Sequence, residues 1–159
     1  MKPIRPVIHS SPFNRACLGF LVALACSSAT AFAQCGKDLV LTSSKTEYLN
    51  TAGEIQRTVE EDCVITLEQT KLTIAPADKE VMTATVVSTT CEWKESFKTG
   101  KTTVQATFKD RDGSEKDATI TVEGKDGKIT CQMTQKDRPD RVIRVVALKF
   151  EERKPASGK

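Results

Sequence analysis

Cysteines are the most reactive side chains in this sequence, and their spacing indicates whether they bind metal, carry out redox reactions or form structural disulfides. Four of the six cysteines, Cys35, Cys63, Cys91 and Cys131, lie beyond the N-terminal region and far apart along the chain. Because no two of them form a C-x-x-C pair, neither a zinc ribbon nor a thioredoxin-like redox site is indicated. An even number of cysteines predicts structural disulfides, here two, when a chain is exported to an oxidising compartment.

The N-terminal region has the three parts of a secretory signal. Only basic charges precede an apolar run at residues 16–26, and small residues follow it up to Ala31-Phe32-Ala33, a pattern that signal peptidase accepts. The sequence therefore predicts a cleavable signal peptide at residues 1–33 and an extracytoplasmic protein, either secreted or periplasmic.

The apolar run has two alternative interpretations. A transmembrane segment needs about 20 apolar residues, and this run is well short of that length. A lipoprotein signal would place a lipid anchor on Cys26, but the large aliphatic Leu24 lies one place too close to that cysteine. We therefore expect no transmembrane segment, and a lipid anchor at Cys26 is the alternative to free export.

Cleavage after Ala33 would also remove His9, the only histidine. Without an imidazole, the mature chain cannot build a Ser-His-Asp or Cys-His nucleophile, a histidine-ligated zinc site or the usual proton shuttle near neutral pH. Glycoside hydrolysis needs only two carboxyl groups, but nearly all the acidic residues here fall in turns or on polar strand faces. We predict no catalytic residue, no metal ligand and no cofactor, with a carboxylate-dependent hydrolase as the alternative.

The segment Asp110-Arg111-Asp112-Gly113 resembles part of a calcium-binding loop, because acidic residues alternate ahead of a glycine. If Gly113 took the glycine position of an EF-hand, the first and last ligand positions would fall on Phe108 and Thr119. Neither side chain has a carboxylate. We therefore predict a polar hairpin turn at this segment.

The single tryptophan, Trp93, has two interpretations. Tryptophan is common at binding hot spots, so an exposed Trp93 would mark a possible binding surface. In a regular strand it would share a face with Val87 and Cys91, which favours burial against a disulfide, since large aromatic side chains are usually buried. We predict a core position for Trp93.

The elements that must position these residues are β-strands. From residue 101 onward, apolar and polar residues alternate between turn signals, which predicts a four-strand antiparallel meander. The segment at residues 51–62 fits both a helix opened by a capping box and a strand, and we favour the strand. The sequence thus predicts an all-β fold, an antiparallel meander of about eight strands that closes into a small sandwich or barrel. Strand patterns upstream of the meander occur at residues 39–43, 63–67, 71–75 and 81–93.

Four cysteines leave three disulfide pairings open. If the strands alternate in direction, Cys91 and Cys131 lie at the same edge of the sheet, three strand spacings or about 14 Å apart when the sheet is flat. That distance exceeds the reach of a disulfide, so the bond requires the sheet to fold over on itself. Cys63 falls at the opposite edge from Cys91. This counting favours the pairs Cys91–Cys131 and Cys35–Cys63.

The length of the chain predicts one small domain, and its composition without the leader predicts a net charge near zero. The predicted domain spans residues 34–150, and a polar C-terminal tail follows at residues 151–159. Over residues 34–159 the basic and acidic residues balance and no basic run occurs, so we expect no nucleic-acid partner.

Three functions are compatible with these features. We expect a non-catalytic binding or structural module of the cell envelope or extracellular space, with a protein or glycan as its partner. In length and strand number the chain is similar in outline to small ligand-carrying up-and-down barrels, and this similarity implies a carrier of a small apolar ligand as an alternative. Small interior side chains such as Val104, Ala106 and Ala118 would leave room for such a ligand. The third possibility is the carboxylate-dependent hydrolase.

Overall fold

The computed structural model describes residues 34–110 and 112–154, and all its regular elements are β-strands. The predicted signal peptide, including Cys26, lies outside the described residues, as do Arg111 and residues 155–159. The strands are β1 (Leu39–Leu49), β2 (Ile55–Leu67), β3 (Lys71–Pro76), β4 (Met82–Glu95), β5 (Thr99–Lys109), β6 (Glu115–Lys125), β7 (Lys128–Gln135), β8 (Arg138–Val146) and β9 (Lys149–Glu152).

The strands follow one another around a closed barrel. Each strand from β2 to β7 pairs antiparallel with the next, and β1 closes the sheet by pairing with β2. On its other side β1 pairs with β9 over Leu39–Thr42 and with β8 over Thr46–Leu49, so that β8 and β9 share one position in the wall. The predicted all-β antiparallel meander is confirmed, and of the two predicted closures the barrel is the one observed.

The ambiguous segment at residues 51–62 is a turn followed by a strand, as favoured above. Strand β2 runs without a break from Ile55 to Leu67, so the short strand predicted at residues 63–67 is only its second half. Asn50 shapes the turn, because its Oδ1 accepts hydrogen bonds of 3.0 Å from the backbone N–H groups of Ala52 and Glu54. These local bonds replace the helix that a capping box would have opened.

The C-terminal part of the described chain forms two strands, and the polar tail is shorter than predicted. A break after Val146 separates β8 from β9, and β9 extends to Glu152. The tail predicted to begin at residue 151 therefore begins later, since Glu151 pairs with Val40 and the N–H of Arg153 donates to Asp38 O at 2.8 Å. The physical reason is that β8 covers only part of β1, and β9 satisfies the backbone groups that β8 leaves open.

The hydrophobic core lies inside the barrel, where every second residue of each strand points. Alternation is regular along β5 and β6, whose inward residues include Val104, Ala106 and Ile120, each at most 2% exposed. Strand β4 is irregular, because a bulge between Val86 and Ser88 shifts its register against β5. The bulge leaves Val87 69% exposed, so its predicted place beside Cys91 and Trp93 is wrong.

Candidate functional site

The two ends of the barrel are built differently. One end, called here the closed end, receives the segment before β1 and the β2–β3, β4–β5 and β6–β7 turns. The other, called the open end, receives the β1–β2, β3–β4, β5–β6 and β7–β8 connections. A cavity in the barrel interior lies toward the open end.

A disulfide anchors the N-terminal segment across the closed end. It joins Cys35, just before β1, to Cys91 near the end of β4, with Cα atoms 5.8 Å apart. Cys63 and Cys131 are free thiols, both buried. The predicted pairs Cys91–Cys131 and Cys35–Cys63 are therefore wrong, and one disulfide is observed among the described residues rather than two.

Strand pairing explains why Cys91 does not reach Cys131. Cys91 pairs with Thr102, Thr102 with Val122, and Val122 with Cys131, so the two cysteines lie in one row, three strands apart along the wall. The barrel does not fold sharply enough to close that distance. The segment before β1 is free of the sheet, and it brings Cys35 to Cys91 instead.

Trp93 fills the closed end. It is 2% exposed, and its Nε1–H donates a 2.8 Å hydrogen bond to the hydroxyl of Thr102. Its ring lies 5.7 Å from that of Phe150, which in turn contacts Phe97 edge-on at 5.4 Å. Trp93 thus has the predicted core position, and its burial is incompatible with the possible binding surface that was retained for it.

Gln34 completes the closure. Its side chain is buried, and its Oε1 accepts a hydrogen bond from the backbone N–H of Phe97 in the β4–β5 turn. Together with the disulfide and the aromatic side chains, this contact leaves the closed end filled by protein. A small molecule would have to enter the barrel from the other end.

A cavity of about 100 Å³ lies in the barrel interior toward the open end, and its walls are mainly apolar. Two thiols face it, those of Cys63 on β2 and Cys131 on β7. Engineered apolar cavities of about 150 Å³ bind benzene, so this smaller volume has room for part of a short alkyl chain. The apolar side chains that line the cavity are Ile65, Ile74, Met82, Ile120, Met133, Ile143 and Val145.

The two thiols are held in their protonated form. Burial raises the pKa of Cys63 to about 11, and the charge of Glu61 acts in the same direction. Burial raises the pKa of Cys131 to about 12, with a further contribution from Cys63. Both side chains therefore behave at neutral pH as small apolar groups of the cavity wall.

A wider pocket at the open end continues outward from the cavity. It has a volume of about 560 Å³ and is called here the mouth pocket. It shares Pro76, Lys79, Met82 and Met133 with the cavity wall, so the two spaces adjoin. Val81, also in its wall, is 54% exposed, which leaves apolar surface open to solvent at the entrance.

An ion pair lies where the cavity meets the mouth pocket. Lys79 Nζ donates to both carboxylate oxygens of Glu61, at 2.9 and 2.6 Å. This hydrogen bond raises the pKa of Lys79, whereas the nearby Arg57 guanidinium lowers it. Of the described cavity-lining residues, Glu61 is the only one with a carboxyl group, so the pair of inward carboxylates that a hydrolase would need is not present there.

Two guanidinium groups lie over Tyr48, another residue of the cavity wall. The Cζ atom of Arg141 is 4.7 Å from the centre of the Tyr48 ring, and that of Arg57 is 5.8 Å away. These are cation–π distances. Among the described residues, neither guanidinium forms an ion pair with a carboxylate.

The charged residues around the cavity entrance, Arg57, Glu61, Lys79 and Arg141, are called here the rim, and they were not predicted from the sequence. Its charged residues on β2, Arg57 and Glu61, have the same parity as Cys63 and so point toward the interior, whereas ordinary barrel strands place apolar residues there. This parity could have predicted inward charged residues from the sequence. It could not be used, because residues 51–62 fitted both a helix and a strand.

The predicted polar turn at the β5–β6 connection is present. Asp112 Oδ1 accepts a 2.8 Å hydrogen bond from the N–H of Ser114. The pKa of Asp112 is lowered by the hydrogen bond with the Ser114 side chain and, to a smaller extent, by this backbone bond. Gly113 takes a positive φ of 82°. Within residues 34–110 and 112–154, no group of three or more histidine, cysteine or acidic side chains is arranged to hold a metal ion.

Comparison with protein families, with curated proteins and with solved structures finds no match for this chain. The described part of the chain contains no helix long and apolar enough to cross a membrane.

Proposed function

We propose that the protein is an exported, non-catalytic binding protein that carries a small, mainly apolar ligand in the open end of its barrel. The observation that supports this proposal most directly is the asymmetry of the two ends. Protein side chains fill one end, whereas the other leads through a mouth pocket of about 560 Å³ into an apolar cavity of about 100 Å³. Small-molecule sites have volumes of about 300–1,000 Å³ and mainly apolar walls.

The wall of the cavity suits binding rather than chemistry. Its thiols are protonated at neutral pH because burial raises the pKa of Cys63 and of Cys131. Glu61, the one carboxylate among the described residues that line the cavity, forms an ion pair with Lys79. Methionines 82 and 133 line the passage between the two spaces, and their flexible side chains adapt to ligands of different shape.

The predicted leader and the disulfide support the proposal that the protein is exported. The leader at residues 1–33 would direct the chain to an oxidising compartment, where a disulfide such as Cys35–Cys91 is maintained. That bond anchors the N-terminal segment at the closed end. An oxidising compartment would therefore help to keep this end of the barrel closed.

Native mass spectrometry of the exported protein, followed by calorimetric titration of the delipidated protein with octanol, tests this function. We expect a co-purified small apolar molecule in the native spectrum and saturable binding of octanol at one site per chain. A ligand-free spectrum together with no heat of binding would contradict the proposal.

A further inference from the structure

The geometry points to an anionic head group on the ligand, recognised by Arg57 and Arg141 at the rim of the cavity. This inference rests on the proposed function, because it concerns the same site and specifies the chemical class of its ligand. The ligand would be an amphipathic anion, a carboxylate with a short or medium alkyl chain.

The first argument is the position of the two guanidinium groups. Both lie over the ring of Tyr48, and Tyr48 is part of the cavity wall, so a chain inserted in the cavity would bring its head group to their level. Arg57 pairs with Tyr48 across β1 and β2, and Arg141 approaches from β8. The guanidinium groups therefore lie beside the part of the cavity wall that Tyr48 forms, on two different strands.

The second argument is the charge around this part of the rim. Lys79 is hydrogen-bonded to Glu61, which neutralises that pair. Arg57 and Arg141 have no ion-pair partner among the described residues, so two positive charges beside an apolar cavity are left without a counterion. Guanidinium groups recognise carboxylates through paired hydrogen bonds, and a carboxylate placed between them would supply the missing charge.

The rest of the mouth pocket does not provide the same charge. Its wall carries Lys79, Lys109 and Lys116, but Glu80 and Asp110 lie beside them, and Lys116 is paired with Asp137 at 2.8 Å. Counted with Glu61 and Asp137, the described residues of this wall hold three lysines and four carboxylates, whereas no described carboxylate pairs with Arg57 or Arg141 beside Tyr48. An alkyl chain reaching from the cavity to the side where Tyr48 lies would place its carboxylate beside the arginines.

The test compares octanoate with octanol, two ligands with the same chain length that differ in the head group. Calorimetric titration is carried out on the delipidated protein, on the double variant Arg57→Gln/Arg141→Gln, and on the control Lys125→Gln/Lys128→Gln. The control removes the same charge from the β6–β7 turn at the closed end.

We expect the unmodified protein to bind octanoate at least about tenfold more tightly than octanol, as charge-assisted hydrogen bonds predict. The arginine double variant should lose that preference and keep its affinity for octanol, which also shows that it is folded. The lysine double variant should keep the preference.

Equal affinities for the two ligands in the unmodified protein would overturn the inference and leave the carrier function standing. A preference for octanoate that survives in the arginine variant, or that the lysine variant loses equally, would also overturn it, because the recognition would then lie elsewhere. If neither ligand binds, the proposed function itself fails.

Discussion

Cys35 and Cys91 are joined across the closed end of the barrel, although 56 positions separate them in the sequence. The bond fixes the segment before β1 over Trp93, at the end where Gln34 contacts the β4–β5 turn. It therefore couples the N-terminus of the described chain to β4 near its end, which no backbone pairing among the described residues does.

Replacement of both Cys35 and Cys91 by serine should lower the free energy of unfolding by about 4 kcal/mol, the loop-closure value for a crosslink of this span. Urea denaturation with and without a reducing agent measures the effect. The double variant should be insensitive to the reductant, whereas the unmodified protein should lose a similar amount when reduced. Equal midpoints for the unmodified and variant proteins in the absence of reductant would contradict the role of this bond.

Gly124 leaves the space that the Trp93 ring occupies. A Cβ atom at Gly124 would lie 2.7 Å from Trp93 Cζ3 and 2.5 Å from the carbonyl oxygen of Lys98. Gly124→Ala should therefore destabilise the protein by about 2–3 kcal/mol through overpacking. The matched control is Gly127→Ala, where a Cβ meets nothing within 4 Å and only the φ of 74° is unfavourable, at about 1 kcal/mol. Thermal denaturation distinguishes the two, and a larger loss at Gly127 would contradict this packing.

Adjacent residues of β6 test the register of the barrel. Ile120 is 2% exposed and faces the cavity, whereas Thr121 points outward. Ile120→Asp should cost more than about 4 kcal/mol, because it places an unpaired charge in the core, and Thr121→Asp should stay within about 0.5 kcal/mol. Urea midpoints of the two variants provide the comparison. Similar losses at both positions would mean that the register is wrong.

The free thiols should be resistant to labelling in the native protein. Because burial raises the pKa of Cys63 to about 11, only about one thiol in a thousand is ionised at pH 8, compared with about one in ten for a thiol of pKa 9. A thiol reagent at pH 8 should label neither cysteine until denaturant is added, and should then label both. Rapid labelling of either in the folded state would contradict their burial.

The same pKa shifts determine how stability varies at alkaline pH. The native state holds the protons of Cys63 and Cys131 more tightly than the unfolded chain does. The stability present below about pH 9 should therefore fall as the pH rises toward 11 and 12. Cys63→Ala/Cys131→Ala should show a shallower alkaline decline in urea denaturation than the unmodified protein.

Local patterns were sufficient to predict the strands and several turns. The Asp126-Gly127 pair forms the β6–β7 turn with positive φ at both residues, 52° and 74°, as that dipeptide indicates. The alternation in β5 and β6 likewise identified the inward side chains. These features depend on neighbouring residues only, so the sequence carries them directly.

The disulfide and the rim depend on contacts between distant segments, and they were not predictable in the same way. The pairing of Cys91 was predicted from strand counting, which does not include a segment outside the sheet such as that of Cys35. The bulge at Val86 reverses the parity of β4, and no turn residue marks it. The meeting of Arg57 with Arg141 requires barrel closure through β1, which only the full topology shows.

A pair of cavity variants tests the location of the ligand most directly. Cys131→Leu would add side-chain volume inside the cavity, whereas Thr130→Leu places the same side chain on the outer face of the same strand. Calorimetric titration with octanol should show an affinity at least about tenfold lower for Cys131→Leu, as loss of the space for about two methylene groups predicts. Thr130→Leu should bind as the unmodified protein does. Unchanged affinity in Cys131→Leu, with its native fold retained, would show that the ligand does not occupy the barrel.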